Sequence, residues 1–154
     1  MNDLEKSGCE PLLMYRLHLL NKLVQRRISA HYVDMLGVTL SEARMIASVG
    51  ASGPLPISEL AKHAYFDTSR ASRAAEALII QGLVKREATV EDGRVVLVSL
   101  TPQGRALYRK VMPIARSWDG ELFNCLGEKE KRALGEALDK VIKSITTRRA
   151  RARS

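Results

Sequence analysis

Residues 83–107 read LVKREATV, then EDGR, then VVLVSL, and close at once on Thr101-Pro102 and a helical pattern. Two runs of strand formers flank Asp92-Gly93, the residue pair that a two-residue hairpin turn favours. This hairpin constrains the fold most, because the other long periodic stretches read as helices. The fold class expected is therefore mainly α with a small β-hairpin. A hairpin tip carrying Asp92 and Arg94 makes physical sense where it touches something charged.

The helical pattern begins at residues 11–33. Leu13, Leu17, Leu20, Val24 and Ile28 recur at three- and four-residue steps, and Pro11 suits a first turn. Leu12, Leu19 and Leu23 widen this apolar face, which calls for two packing partners, one of them a second subunit. A second helix covers 40–49, opened by Thr39 and Glu42 as a capping box. The turn ASGPLP follows, with Leu55 available to a short strand. ISELAKHA is a helix of about two turns, and YF is a tight connection. The next helix is DTSRASRAAEALIIQG. It carries Asp67 as N-cap, Leu78 and Ile79 buried near its end, and Gly82 as its stop. After the hairpin, Thr101 caps a helix with Pro102 in its first position. That helix is expected to run to about Cys125 with a kink at Pro113. Gly127 separates it from a final helix with a narrow stripe of Leu134, Leu138, Val141 and Ile145.

Short helix, tight turn, longer helix and hairpin in that order make a winged helix-turn-helix. The boundaries that follow are 1–38 for an N-terminal helix, 39–101 for the winged motif and 102–147 for C-terminal helices. Residues 148–154, RRARARS without its last helical support, are expected to be a basic disordered tail. A chain of 154 residues is one domain with such extensions, and elongated arms bury their apolar faces only against a second chain. The net charge of +8 suggests a polyanionic partner. Yet residues 39–101 hold seven Lys/Arg against seven Asp/Glu, so placement matters more than total charge. Cys9 and Cys125 fit no metal spacing and no disulfide framework, which points to a reducing cytoplasm. The apolar runs are too short for a membrane span, and MNDLEKSGCEP lacks the basic-then-apolar order of a signal peptide.

The stretch ISELAKHAYFDTSRASRAAEALIIQGLVKREATVEDGRVVLVSLTPQGRAL resembles the core of MarR-type (multiple antibiotic resistance regulator) transcription factors. The matching pieces are SELA, SRAAEALIIQGLVKR, DGR and VSLTPQGRAL, in that order, with flanking helices of matching number and length. The resemblance implies an obligate homodimer whose first and last two helices interlock, so that both flanking parts, 1–38 and 102–147, serve dimerisation. It also implies two winged motifs reading a near-palindromic double-stranded DNA operator.

On that reading the helix opening at Thr68 enters a major groove. Its first two turns offer Thr68, Ser69, Arg70, Ser72 and Arg73 to bases and phosphates. Arg70 stands where the family often has a smaller residue. At the wing, Arg94 resembles the family arginine that enters the minor groove, and Asp92 the carboxylate that orients it. Glu42, Glu59 and Glu76 are expected to face away from DNA, with Lys62 a further candidate for the binding face. The plainer alternatives are a solvated polar helix face and ordinary Asp-Gly turn chemistry, which leaves Arg94 unexplained.

The resemblance further implies a small aromatic acid or phenolic effector bound between the dimer helices and the winged motif. Arg16 falls among Leu12, Leu20 and Leu23, and Arg44 lies beside Leu40 and Ala47. An arginine on an apolar face needs an anion, and a ligand carboxylate would serve. An internal salt bridge, or a packed stem with a wet head, serves equally. His18, on the polar flank, is a weaker candidate; His31 and His63 read as surface or capping residues. The organic-hydroperoxide sensors of the family that this chain resembles carry a cysteine inside the first helix, where this sequence has Leu12 and Leu13, with Cys9 before Pro11; Cys125 reads as core. No metal-ligand pair, nucleophile elbow or phosphate loop points to an enzyme or a cofactor. The function expected is a ligand-responsive, DNA-binding transcriptional regulator, a repressor by preference. A winged-helix interaction module without DNA and a cysteine-based redox regulator are the alternatives.

Overall fold

The computed structural model describes residues 12–88 and 95–151, with side chains through 147. The elements are α1 (Leu13–Leu36), α2 (Leu40–Ser52), β1 (Leu55–Pro56), α3 (Ile57–Ala64) and α4 (Thr68–Ile80). They continue with β2 (Val84–Ala88), β3 (Val96–Leu100), α5 (Pro102–Leu122) and α6 (Glu128–Arg151). The chain divides into two compact units, Met1–Arg116 and Ser117–Ser154, with α5 running across the boundary.

In the first unit, local chemistry sets most of the boundaries. α1 ends at Leu36, three residues beyond the expected end, and a left-handed backbone at Gly37 lets its N–H donate to Val33 O. α2 starts on the expected capping box: Thr39 N donates to Glu42 Oε2 at 2.7 Å, and Glu42 N donates to Thr39 Oγ1 at 3.2 Å. Gln81 Nε2 donates to the other Glu42 oxygen at 3.3 Å, so this buried carboxylate also ties α2 to the end of α4. α4 ends in a Schellman motif. Gly82 N donates to Ile79 O and Leu83 N to Leu78 O, each at 2.9 Å. Gly82 has φ 69, a backbone that glycine adopts without a Cβ penalty.

The sheet is antiparallel, ordered β1-β3-β2. Leu55 pairs with Val98, as its availability suggested, and Val84 to Ala88 pair with Leu100 to Val96. Beneath it lies one core: Met45, Ile46 and Val49 of α2, Leu60 of α3, Leu78 of α4, and Val84 and Val98. Each such side chain contributes roughly 1.5–3 kcal/mol of transfer free energy. α4 turns Ala71, Ala74 and Ala75 inward together with Leu78, a three-and-four spacing of small residues that lets it lie close to α2 and α3. Ile79, expected to be buried, is only half-buried, because it sits on the flank of that face.

The start of α5 is locked to the loop before β2. Thr101 Oγ1 donates to Gly82 O at 2.7 Å and accepts from Gly104 N at 3.0 Å, the expected cap. A Cβ on Gly104 would stand 1.9 Å from Leu83 O, so this approach requires glycine. Against this packed lobe, α1 buries only Ile28 and Tyr32 and leaves Leu13, Met14, Leu20 and Leu23 exposed.

In the second unit, α5 ends at Leu122 and not at Cys125, and it continues past Pro113 as one helix. Cys125 therefore lies in the following turn and is exposed, not core. α6 opens with Gly127 N donating to Glu130 Oε2 at 2.8 Å. Its expected stripe is present, and Leu134, Leu138, Val141 and Ile145 are all exposed. The helix runs through Arg151, so the backbone of residues 148–151 is helical where a disordered tail was expected. Arginine is a good helix former, and positive charge near a helix C-terminus complements its dipole.

Candidate nucleic-acid interface

The site is the exposed side of α4 and the turn before it. Asp67 caps the helix, accepting at Oδ1 from Arg70 N at 2.8 Å. Because Ala71, Ala74, Ala75 and Leu78 point inward, the 3.6 period sends Ser69, Arg73, Glu76 and Ile80 outward in one exposed stripe. Thr68 and Ser72 flank it on one side and Arg70 on the other.

The two arginines of this helix have different surroundings. Arg73 is exposed and makes no ion pair among the described residues. Arg70 is tied back. Its Nε and Nη2 donate to Ser41 Oγ on α2 at 3.2 and 2.9 Å, and its guanidinium lies 4.8 Å from the Phe66 ring centroid. The Arg44 guanidinium lies 5.3 Å from the centre of the same ring. Burial lowers the pKa of Arg44 from its ordinary value, and the positive charge of Arg70 lowers it further. Ser41 and Phe66 are the residues that sequence reasoning missed. In the sequence Phe66 reads only as part of a tight connection, and no local pattern links Ser41 to a residue 29 positions away.

Tyr65, in the same turn, was missed as well. Its side chain is 86% exposed and its backbone sits at φ 55, a left-handed conformation uncommon for a bulky residue. That strain, of order 1–3 kcal/mol, is held by Tyr65 N donating to Lys62 O and Phe66 N to Ala61 O.

The acidic residues distribute differently from expectation. Glu42 faces inward, as described. Glu59 pairs with Lys62 at 2.7 Å, which occupies the lysine considered for the binding face. Glu76 does not turn away: it shares the outward stripe with Arg73, and Arg86 Nη2 holds it at 3.0 Å. On β2, a hydrogen bond from Lys85 holds the Glu87 carboxyl below its ordinary pKa, with Ser99 Oγ a further donor at 3.3 Å.

Asp92 and Arg94 lie outside the described residues, as does Cys9. Arg16 and His18 are exposed in the first half of α1, while Arg44 is half-buried beside Phe66. A cavity of about 360 Å³ in the first unit is lined by Gly50, Ser99, Arg105, Tyr108 and Arg109 among others, and by none of the three effector candidates. Among the described residues no cluster of three His, Cys, Asp or Glu could hold a metal ion. No described helix is long and apolar enough to cross a membrane.

A capped helix whose exposed face starts with hydroxyls and arginine, beside a three-stranded sheet carrying a hairpin, defines a winged helix-turn-helix of the DNA-binding class. The family model described as MarR family matches residues 36–95. The HTH-type transcriptional repressor Rv2887 of Mycobacterium tuberculosis is 29% identical over 84% of this chain and 92% of its own length. A crystal structure of a MarR-family transcriptional regulator from Silicibacter pomeroyi is 31% identical, covers 92% of each chain and superposes with a TM-score of 0.65. BpsR of Bordetella bronchiseptica, described with a mechanism for regulation of its DNA binding by 6-hydroxynicotinic acid, shares the fold. It has a TM-score of 0.78 at 22% identity, over 84% of this chain and 92% of that one. The chain belongs to the MarR family and is a DNA-binding transcriptional regulator, not an enzyme.

Proposed function

We propose that the chain is a homodimeric, sequence-specific repressor that reads a near-palindromic operator in the cytoplasm and is released by a small aromatic acid or phenol. The observation that carries the reading is the outward stripe of α4, where Ser69 and Arg73, unpaired among the described residues, project from a capped helix. In this division of labour residues 39–101 read DNA, while residues 1–38 and 102–147 hold two protomers together. The basic residues of 148–154 add nonspecific phosphate contacts. Thr68, Ser69, Ser72 and Arg73 face the major groove, and the wing residues Asp92 and Arg94 serve the minor groove. The exposed apolar residues of α1 and of α6 support a second copy as the missing partner.

Arg16, His18 and Arg44 are the proposed effector ligands. Arg44 lies on α2 against the turn that leads into α4, where a ligand carboxylate would act on the reading helix. Regulation of BpsR by an aromatic acid supports this ligand class. Binding would shift the population toward a spacing of reading helices that mismatches successive major grooves, which needs a coupling of only about 1–3 kcal/mol.

Affinity for a duplex selected by the wild-type protein from a randomised pool tests the reading. Arg73→Ala should weaken binding by about 1–3 kcal/mol and relax discrimination at one base position. Arg94→Ala should weaken binding mainly where the minor groove is narrow. Unchanged affinity in both variants at moderate salt would remove the DNA reading. For the effector site, Arg16→Ala and Arg44→Ala should blunt release by aromatic acids, and an unaltered dose response would remove that assignment.

A further inference from the structure

Arg44 and Arg70 approach one aromatic ring from two helices, at 5.3 and 4.8 Å from its centre. Neither guanidinium is paired with a carboxylate among the described residues. Two like charges that share one ring repel, as the effect of Arg70 on Arg44 shows, and a shared anion relieves the repulsion. The face of Phe66 offsets part of it, and Ser41 Oγ occupies two of the N–H donors of Arg70. The acid nearest in sequence, Asp67, directs Oδ1 to the backbone N–H of Arg70. Guanidinium donors on both arginines therefore have no protein partner among the described residues, beside the first turn of the reading helix.

The geometry points to a phosphate clamp: Arg44 and Arg70, set by Phe66 and Ser41, together take one DNA backbone phosphate per protomer. This rests on the DNA reading above and sharpens it. A guanidinium tied back to α2 is turned off the outward stripe of Ser69, Arg73 and Ile80, so it is not free to lie flat against a base edge. The edge of the groove, where the phosphates run, is the place such a side chain meets. Arg70 then fixes the register of the helix and Arg73 reads sequence. Phe66 is a positioning residue that touches no DNA. A carboxylate effector on Arg44 would compete with the phosphate for the same charge.

The test measures affinity across a salt series for two duplexes of equal length, one selected by the wild-type protein from a randomised pool and one unselected. Arg44→Gln should weaken binding to both by a similar factor, about tenfold. Arg44→Gln with Arg70→Gln should make the log–log salt slope shallower by about 2 per dimer, one phosphate for each protomer. Phe66→Leu should reproduce the loss with no change in charge, and Phe66→Tyr, which keeps the ring, should restore it. Circular dichroism and urea unfolding check that each variant is folded; Arg44→Gln alters no core residue and keeps the test open if Phe66→Leu fails. Unchanged affinity and slope in Arg44→Gln, with Arg73→Ala still impaired, would overturn the clamp and leave the DNA reading standing. A loss confined to the selected duplex would make these base contacts and overturn it too. So would a variant that loses only its response to benzoate. If Arg73→Ala is equally silent on both duplexes, the DNA reading itself is what has failed.

Discussion

The lobe formed by α2 through β3 and the long helices α1 and α6 solve the same problem in opposite ways. In the lobe, apolar side chains at helical spacing find partners within the chain: Met45, Ile46, Leu60 and Leu78 are fully buried. In α6, Leu134, Leu138, Val141 and Ile145 keep an equally regular spacing and stay exposed, Ile145 by 57%. A hydrophobic pattern thus specifies a face, and the surrounding chain decides whether that face is filled. The lobe fills its core within one chain. The long helices leave their apolar faces uncovered among the described residues.

Three experiments would break or sharpen this contrast. The largest effect is expected inside the lobe. Leu78→Ala should destabilise it by about 4 kcal/mol in urea unfolding, whereas Ile80→Ala, two residues on and 80% exposed, should change it by less than about 0.5 kcal/mol. Equal losses at the two positions would mean that Ile80 is covered by something in solution. Next come the long helices. Val141→Asp and Ile145→Asp should each weaken self-association by about 2 kcal/mol, seen as a shift toward monomer in sedimentation equilibrium, with the lobe still folded. A wild-type protein that sediments as a monomer at all concentrations would remove the distinction. The smallest effect belongs to a helix end. Thr39→Ala should cost about 1 kcal/mol, because it opens the capping box and loosens the carboxylate that Gln81 shares. A silent substitution would show that Gln81 alone holds Glu42 in place.

What the sequence made legible was chemistry within a few residues. Thr39 with Glu42, Asp67 with Arg70 N, Gly82 after α4 and Thr101 before α5 are short-range devices, and all four close as expected. The winged motif and its short first strand follow from the order of those devices and the β-forming runs. Contacts between distant segments were not legible. That Arg70 reaches Ser41, and that Phe66 stacks against two guanidiniums, depends on how α2 crosses α4, which no local period encodes. Glu76 was misread because its direction follows from the alanine face opposite it. A polar residue declares its orientation only once the inward side is known. A helix reaching Cys125 would put its thiol in the core, but α5 ends three residues earlier, at Leu122, and the thiol is exposed. The effector candidates expose a similar limit. The wheel set Arg16 among leucines, yet those leucines are themselves exposed here, so its surroundings depend on what covers α1.

The contact between Gly104 and the Leu83 carbonyl has a mechanical consequence. With no room for even a methyl group, and with the Thr101 hydroxyl bridging both sides, the first turn of α5 cannot slide over the loop that feeds β2. Any tilt of that end of α5 is carried straight into the base of the hairpin, as a crank turns its shaft, with no slack to absorb it.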